Sequence, residues 1–339
     1  MIGMRVTTLP PCVDNALDAA APDPLRYGFP LPLIRVFYPM GYAVEIVTNS
    51  PETVRAAEDV WGACTRFHQT SPIRVRLAVD GSAAIDRSTY PVFRGQAHLV
   101  SITAGADNFA VADLCRGFIY GWFTDNAVDD HAWFRYHFLE PLVYLALGSL
   151  YCTPVHAACV SLDERAILLC GDSGAGKTCL AYACAKRGWT YIADDASYLV
   201  RGEDDLVMGR PDYIRFRDSA ALLFPELSVH PTVVRPNGKS DIEVESHMLG
   251  LTTARSARVG CIVFLKRSGG TRPAIEPYLK FDAMSHFGQV ICYGDDDNRA
   301  EHLRQLRRLT RLPAFELNYS ELDGSVGCLR SLVQRVSMA

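Results

Sequence analysis

Residues 171–178 read GDSGAGKT, and two adjacent carboxylates, Asp194 and Asp195, follow after one short helix and one strand. Gly171, Asp172, Ser173, Gly174, Ala175, Gly176, Lys177 and Thr178 satisfy G-x-x-x-x-G-K-[ST] at every fixed position. Glycines at this spacing let backbone N–H groups close around an anion, and the helix behind them adds its positive N-terminus. Lys177 supplies a charge for the β and γ phosphates of a nucleotide, and the Thr178 hydroxyl suits Mg2+. Such a loop needs a strand before it and a helix after it. RAILLC (165–170) and CLAYACAKRG (179–188) meet both requirements.

The aspartates stand 17 and 18 residues beyond Lys177. That leaves room for a short helix and a return strand, so the return strand is expected close to the loop strand. Its carboxylates would then sit near a bound γ-phosphate. Successive strand side chains point to opposite faces, so the two aspartates are expected to do different jobs. One would meet the metal, and the other would take a proton from an incoming hydroxyl.

The elements that must position this cluster are legible in outline. AVEIVTNSPETVRAAEDVWG reads as a strand and then a helix, with Ser50 as cap, Pro51 in the first turn and Glu52 at its positive end. IRVRLAV, AHLVSITAG and FAVADLCRGFIYGWF read as strands. DDHAWFRYHFLEPLVYLALG reads as a long helix ending near Gly148, kinked or restarted at Pro141, with Trp and Phe residues that read as core. VHAACVSL and RAILLC pair around DER. A helix over 179–187 ends at Gly188, and TYIADD, ASYLVR and GCIVFLKR (260–267) are strands. A basic helix (299–311), the strand AFELNY and a helix over 325–336 complete the chain.

Three regions are expected: a poorly ordered arm over 1–30, an α+β region over 31–150 and an α/β domain with a mixed sheet over 151–339. The 339 residues carry 34 basic and 38 acidic side chains, for a formal net charge of −4. That balance argues against nucleic acid or an anionic membrane as a bulk partner. No apolar run is long enough to span a bilayer, and the N-terminal stretch lacks the apolar segment of a signal peptide. The 11 cysteines include no Cys-x-x-Cys pair, and they read as small buried thiols in a reducing compartment rather than disulfides or a zinc site. Together these features point to a cytoplasmic protein. Lys239 sits in a polar loop. Arg304, Arg307, Arg308 and Arg311 share one helix face, which suits either solvent or an acidic partner.

With those residues in view, 156–200 resembles the catalytic domain of the HPr kinase/phosphorylase family. The matching features are His156, a strand pair, the loop at 171–178, AKRG at 185–188 and ADD at 193–195, without a gap. The resemblance implies a phosphate-loop kinase fold of the HPr kinase/phosphoenolpyruvate carboxykinase type. It implies that Lys177 and Thr178 meet phosphates and Mg2+, that Asp194 is the general base, that Asp195 supports it or the metal, and that His156 stands near the phosphates. Arg215 in GRPDYIRF falls on a family arginine. Ser219 falls where the family has a metal-binding glutamate, with Asp218 beside it, and Cys179 stands where the family usually has Glu. Arg255 and Arg258 echo the family's arginine segment by position.

The expected activity is ATP- and Mg2+-dependent transfer of a phosphoryl group to a serine or threonine hydroxyl of a protein or peptide, one with an acidic segment if the arginine stripe docks it. A homo-oligomer is compatible with the resemblance. Two alternatives stand beside it: a small-molecule kinase on the same frame, and a sensor that binds ATP without transferring phosphate.

Overall fold

The computed structural model describes residues 29–81, 90–234, 240–269, 272–288 and 294–337. The expected arm, up to residue 28, and Lys239 lie outside the described residues. Within them the chain is mixed α/β, with three sheets.

The first sheet holds β1 (Leu33–Phe37), β2 (Val44–Thr48), β3 (Ile73–Val79), β4 (Val92–Gln96), β5 (Leu99–Ala104), β6 (Asn108–Asp113) and β7 (Phe118–Phe123), in the order β1-β2-β3-β7-β6-β5-β4. In β3, Ile73, Val75 and Leu77 are buried while Arg74 and Arg76 are exposed, the period-2 pattern of a half-covered strand. Helix α1 (Pro51–Trp61) crosses between the parallel strands β2 and β3. Its cap is the one expected: the Thr53 N–H donates to Ser50 Oγ at 3.3 Å. Val54, Ala57 and Trp61 on its inner face are buried.

One expectation for this region needs correction. FAVADLCRGFIYGWF is two strands, β6 and β7, joined by a tight turn. The N–H groups of Cys115 and Arg116 both donate to Asp113 Oδ1 at 3.0 Å, and Gly117 takes φ +61°. A short acidic side chain that closes on its own backbone stops the strand there. The long helix expected over this stretch runs without a break over 131–150, as α3 (His131–Phe134), a π turn over Arg135–Leu139 and α4 (Glu140–Leu150), and a separate short helix, α2 (Asp125–Asp129), precedes it. Pro141 has no N–H for the carbonyl four residues back, and its ring crowds that carbonyl. The wider turn accommodates this, with the Glu140 N–H donating to the Arg135 carbonyl. Trp133, Phe134 and Phe138 are buried in the core, as read.

The second sheet holds β8 (Cys152–Val155), β9 (Ala157–Leu162), β10 (Arg165–Cys170), β11 (Thr190–Ala193), β12 (Ser197–Val200), β13 (Leu206–Met208), β17 (Ser256–Arg267), β18 (Ala274–Pro277) and β19 (Ala314–Tyr319). A small third sheet of β14 (Tyr213–Arg217), β15 (Thr232–Val234) and β16 (Ser240–Glu245) interrupts it in sequence. β10 is central, antiparallel to β9 and parallel to β17. Its side chains alternate between two apolar layers. Ile167 and Leu169 join residues of α5 (Lys177–Ala185) and α8 (Leu322–Ser337). Ala166, Leu168 and Cys170 join residues of α6 (Lys280–Gly288) and α7 (Asp296–Leu309). Both faces are therefore covered, which is why β10 reads as a continuous apolar run.

The return strand β11 pairs with β9, so β9 separates it from the loop strand β10. The expected closeness holds at one strand's remove. The thiol reading holds for Cys152, Cys159, Cys170, Cys184 and Cys261, which are buried, but Cys115 is exposed. No helix among the described residues is long and apolar enough to cross a membrane.

Candidate active site

The loop leaves the C-terminal end of β10 and turns into α5. Gly174 and Gly176 take φ +88° and +93°, left-handed values that favour glycine. A side chain at Gly174 would meet open space, so strain alone opposes one there. A Cβ at Gly176 would overlap the Tyr319 hydroxyl. Tyr319 is fully buried and donates to the Ala175 carbonyl, which braces the loop from β19.

Lys177 is only 6% exposed. Its Nζ donates to the carbonyls of Gly171 at 2.8 Å and Asp172 at 3.3 Å. Burial lowers its ammonium from the ordinary value, and the negative charge of Asp195 opposes that shift. The lysine is thus curled onto the loop, with its charge held where the glycine backbone opens.

Asp194 and Asp195 follow the last residue of β11 rather than ending the strand as TYIADD reads, and their surroundings differ. Asp194 is partly buried, and its Oδ2 accepts the Arg215 backbone N–H at 2.9 Å. Burial raises its carboxyl above the ordinary value, against the hydrogen bond and positive charge of Arg215. Asp195 is exposed, and its Oδ1 lies 3.3 Å from Nδ1 of His156, which sits between β8 and β9. Two neighbouring carboxylates thus have opposite settings. One is shielded and easily protonated, and the other is solvated beside an imidazole.

One cavity of about 850 Å3 brings these groups together: it is lined by Ser173, Gly174, Gly176, Lys177, Thr178, His156, Asp194 and Asp195. Gly171, Asp172 and Ala175 support the loop without lining the cavity. Arg215, Asp218, Ser219, Cys179 and Arg255 also line it. Arg258 does not; it pairs with Asp205 and Glu203. None of Arg304, Arg307, Arg308 and Arg311 reaches the cavity, and Arg304 and Arg308 pair with Glu301 and Asp204.

Sequence reasoning missed the rest of the lining. Arg210 and Asp212 enter it from the segment between β13 and β14, Asp241 from β16 and Arg267 from the end of β17. Arg255 grips Asp212 through two bonds of 2.9 and 3.1 Å, and Arg215 Nε pairs with Glu243 at 2.6 Å. The opposite wall comes from the first region, with Trp61, Tyr136 and Tyr144. Arg210 ties the two walls: it pairs with buried Glu140 at 2.7 Å and lies 4.5 Å from the Tyr144 ring centroid. These contacts depend on strand pairing across tens of residues, and no local pattern marks them. His286 on α6 is a further missed group. Burial lowers its imidazole from the ordinary value, and it feels the charges of Asp172 and Lys177.

Part of the chain matches known proteins in sequence. An HPr kinase/phosphorylase from Peptoclostridium acidaminophilum is 40% identical over 63 residues, which are 18% of this chain and 20% of the relative. An HPr kinase/phosphorylase from Chromobacterium violaceum is 33% identical over 101 residues, 27% of this chain and 32% of the relative. The chain is HPr kinase-like. The matches span about a fifth to a third of the length of those curated relatives. No family model matches the chain. A solved structure, the HPr(Ser) kinase/phosphatase from Coxiella burnetii, aligns over 55% of this chain and 97% of its own at 12% identity, with a TM-score of 0.31, too low to establish a shared fold.

Proposed function

We propose that this HPr kinase-like chain is an ATP- and Mg2+-dependent phosphotransferase that acts on a serine or threonine hydroxyl of a protein or peptide. The observation that carries the reading is a single cavity shared by a glycine loop, a buried lysine and two carboxylates of opposite character. We assign residues 151–339 to the phosphate-loop kinase domain, of the HPr kinase/phosphoenolpyruvate carboxykinase type, and residues 31–150 to the opposite wall.

Backbone N–H groups of 171–178 and Lys177 would hold the ATP phosphates, and Thr178 with Asp195 would hold the ion. The residues fit that load: open space at Gly174, a buried cation at the loop and an exposed carboxylate facing it. When bound, Mg2+ neutralises phosphate charge. The acceptor hydroxyl attacks the γ-phosphorus, the bond to the β-phosphate oxygen breaks, ADP leaves, and the hydroxyl proton passes to Asp194 Oδ1. Arg215 holds Oδ2, which orients the carboxyl. A carboxyl raised by burial is a stronger base, and general-base catalysis of this kind contributes about 10²- to 10⁴-fold. His156 would orient Asp195. Asp218 and Asp241 are available in the place of the glutamate that the family resemblance implies.

A small-molecule acceptor is the second reading, and a specific observation favours it. Trp61, Tyr136 and Tyr144 add aromatic side chains to the cavity lining, of the kind that commonly line small-molecule pockets. Incubating the full chain with γ-labelled ATP and a fractionated lysate separates the readings. Label in protein or peptide supports the first, and label in a small metabolite supports the second. ATP binding with no transfer leaves a sensor and overturns both.

A further inference from the structure

Outside the cavity, three side chains of metal-ligating type converge. The donor atoms of His98, Cys115 and Asp295 all lie within 4.8 Å of one another, the one such group of three among the described residues. They come from three separate elements. His98 lies in the turn between β4 and β5, Cys115 in the turn between β6 and β7, and Asp295 is the N-cap of α7.

Backbone bonds hold all three positions. The Leu114 N–H donates to the His98 carbonyl at 2.9 Å, which locks the two turns together. The Cys115 and Arg116 N–H groups close on Asp113 Oδ1. Asp295 divides its carboxylate: Oδ1 accepts the Asn298 N–H at 2.9 Å, and Oδ2 faces the Cys115 thiol at 3.1 Å. Asn298 in turn accepts from Arg201 at 2.8 Å and donates to Ser149, so the start of α7 is pinned to β12 and α4.

We propose that His98, Cys115 and Asp295 form a divalent-metal site of the zinc type, with water in the fourth position. The nitrogen, sulfur and oxygen donor set suits a borderline ion such as Zn2+ and disfavours Ca2+ or Mg2+, which take oxygen ligands. Zn–S bonds of about 2.3 Å and Zn–N or Zn–O bonds of about 2.0–2.2 Å set tetrahedral ligand atoms roughly 3.3–3.8 Å apart. The side chains therefore need to close by up to about 1.5 Å. Cys115 is exposed and His98 and Asp295 are partly so, which gives the ion a path in. Binding breaks the Sγ–H bond, forms an Sγ–metal bond and releases the proton to solvent. The ion would clip two turns of the first sheet to α7, far along the chain.

The alternative is an exposed thiol that merely donates to a helix-capping carboxylate. Titrating the reduced full chain with Co2+ distinguishes the two. The site predicts one equivalent bound, with a thiolate-to-cobalt charge-transfer band that Zn2+ bleaches. Cys115→Ser should abolish the band, and Cys328→Ser should keep it. His98→Ala should weaken binding by more than the ~10–100-fold typical of losing an outer-shell partner. Thermal melts of each variant without metal check that it is folded. Absence of a thiolate band in the wild type, or the same band in folded Cys115→Ser, overturns the proposal.

Discussion

Gly176→Ala tests whether the loop has the shape described. Two separate penalties are expected. The residue sits at φ +93° and ψ +18°, where an L side chain costs about 1–2 kcal/mol. The new Cβ also overlaps the Tyr319 hydroxyl, whose ring is fully buried and has no room to retreat. Overpacking of this kind costs about 1–3 kcal/mol. The sum is about 2–5 kcal/mol against the start of α5. Tyr319→Phe alone removes one hydrogen bond to the Ala175 carbonyl, worth about 0.5–1.5 kcal/mol. It also removes the clashing atom, so in the double variant only the conformational penalty of the alanine should remain. Hydrogen exchange at the amides of residues 180–185 reads this directly, because every ~1.4 kcal/mol changes the opening equilibrium tenfold. Gly176→Ala should accelerate exchange by roughly 30-fold or more, and Tyr319→Phe should recover part of that loss. Wild-type protection in Gly176→Ala, or strictly additive effects in the double variant, would refute the loop geometry.

Lys177→Ala should abolish the rise in melting temperature that Mg-ATP gives the wild type, a rise that grows with the logarithm of ligand excess. Asp194 has a folded-state pKa above its unfolded value, so its ionisation costs stability as pH rises through the window between the two. Asp194→Asn keeps an acceptor for the Arg215 N–H and removes that cost. Its melting temperature should exceed that of the wild type at neutral pH, and the gap should vanish in acid below the unfolded value near 3.9. A gap independent of pH would contradict the shielded carboxyl. Reversing Arg304 and Arg308 to Glu should leave KM for the acceptor unchanged and cost under about 1 kcal/mol per exposed pair in a denaturant melt. A large KM increase would instead make the stripe a docking face.

The loop and its neighbours were legible because their signals are local. The motif, the flanking strand and helix, the left-handed Gly188 and the Ser50 cap each sit within a few residues of what they control. The unlike roles expected of Asp194 and Asp195 were argued from strand alternation; the strand ends two residues earlier than read, so their differing surroundings come from the bend that follows it. What escaped depends on long-range pairing. Asp241 reaches the cavity because β16 pairs with β14, opposite Arg217. Tyr144 reaches Trp61, 83 residues away, through a hydrogen bond of 3.0 Å that no periodicity predicts. The π turn at 135–139 was half-visible in Pro141, from which a kink or a restart of the helix was expected, but not the wider turn itself. The exposed thiol of Cys115 was hidden because composition describes cysteines as a class, while its turn is a property of Asp113 and Gly117.

The most direct test of the central claim is phosphoryl transfer by Asp194→Asn, with Mg-ATP affinity measured on the same preparation. An amide keeps the shape and the Arg215 hydrogen bond but takes up no proton. Affinity should stay within about twofold of wild type, while transfer to the acceptor falls by about 10²- to 10⁴-fold. Near-wild-type transfer by the folded variant would contradict Asp194 as the base and the account built on it.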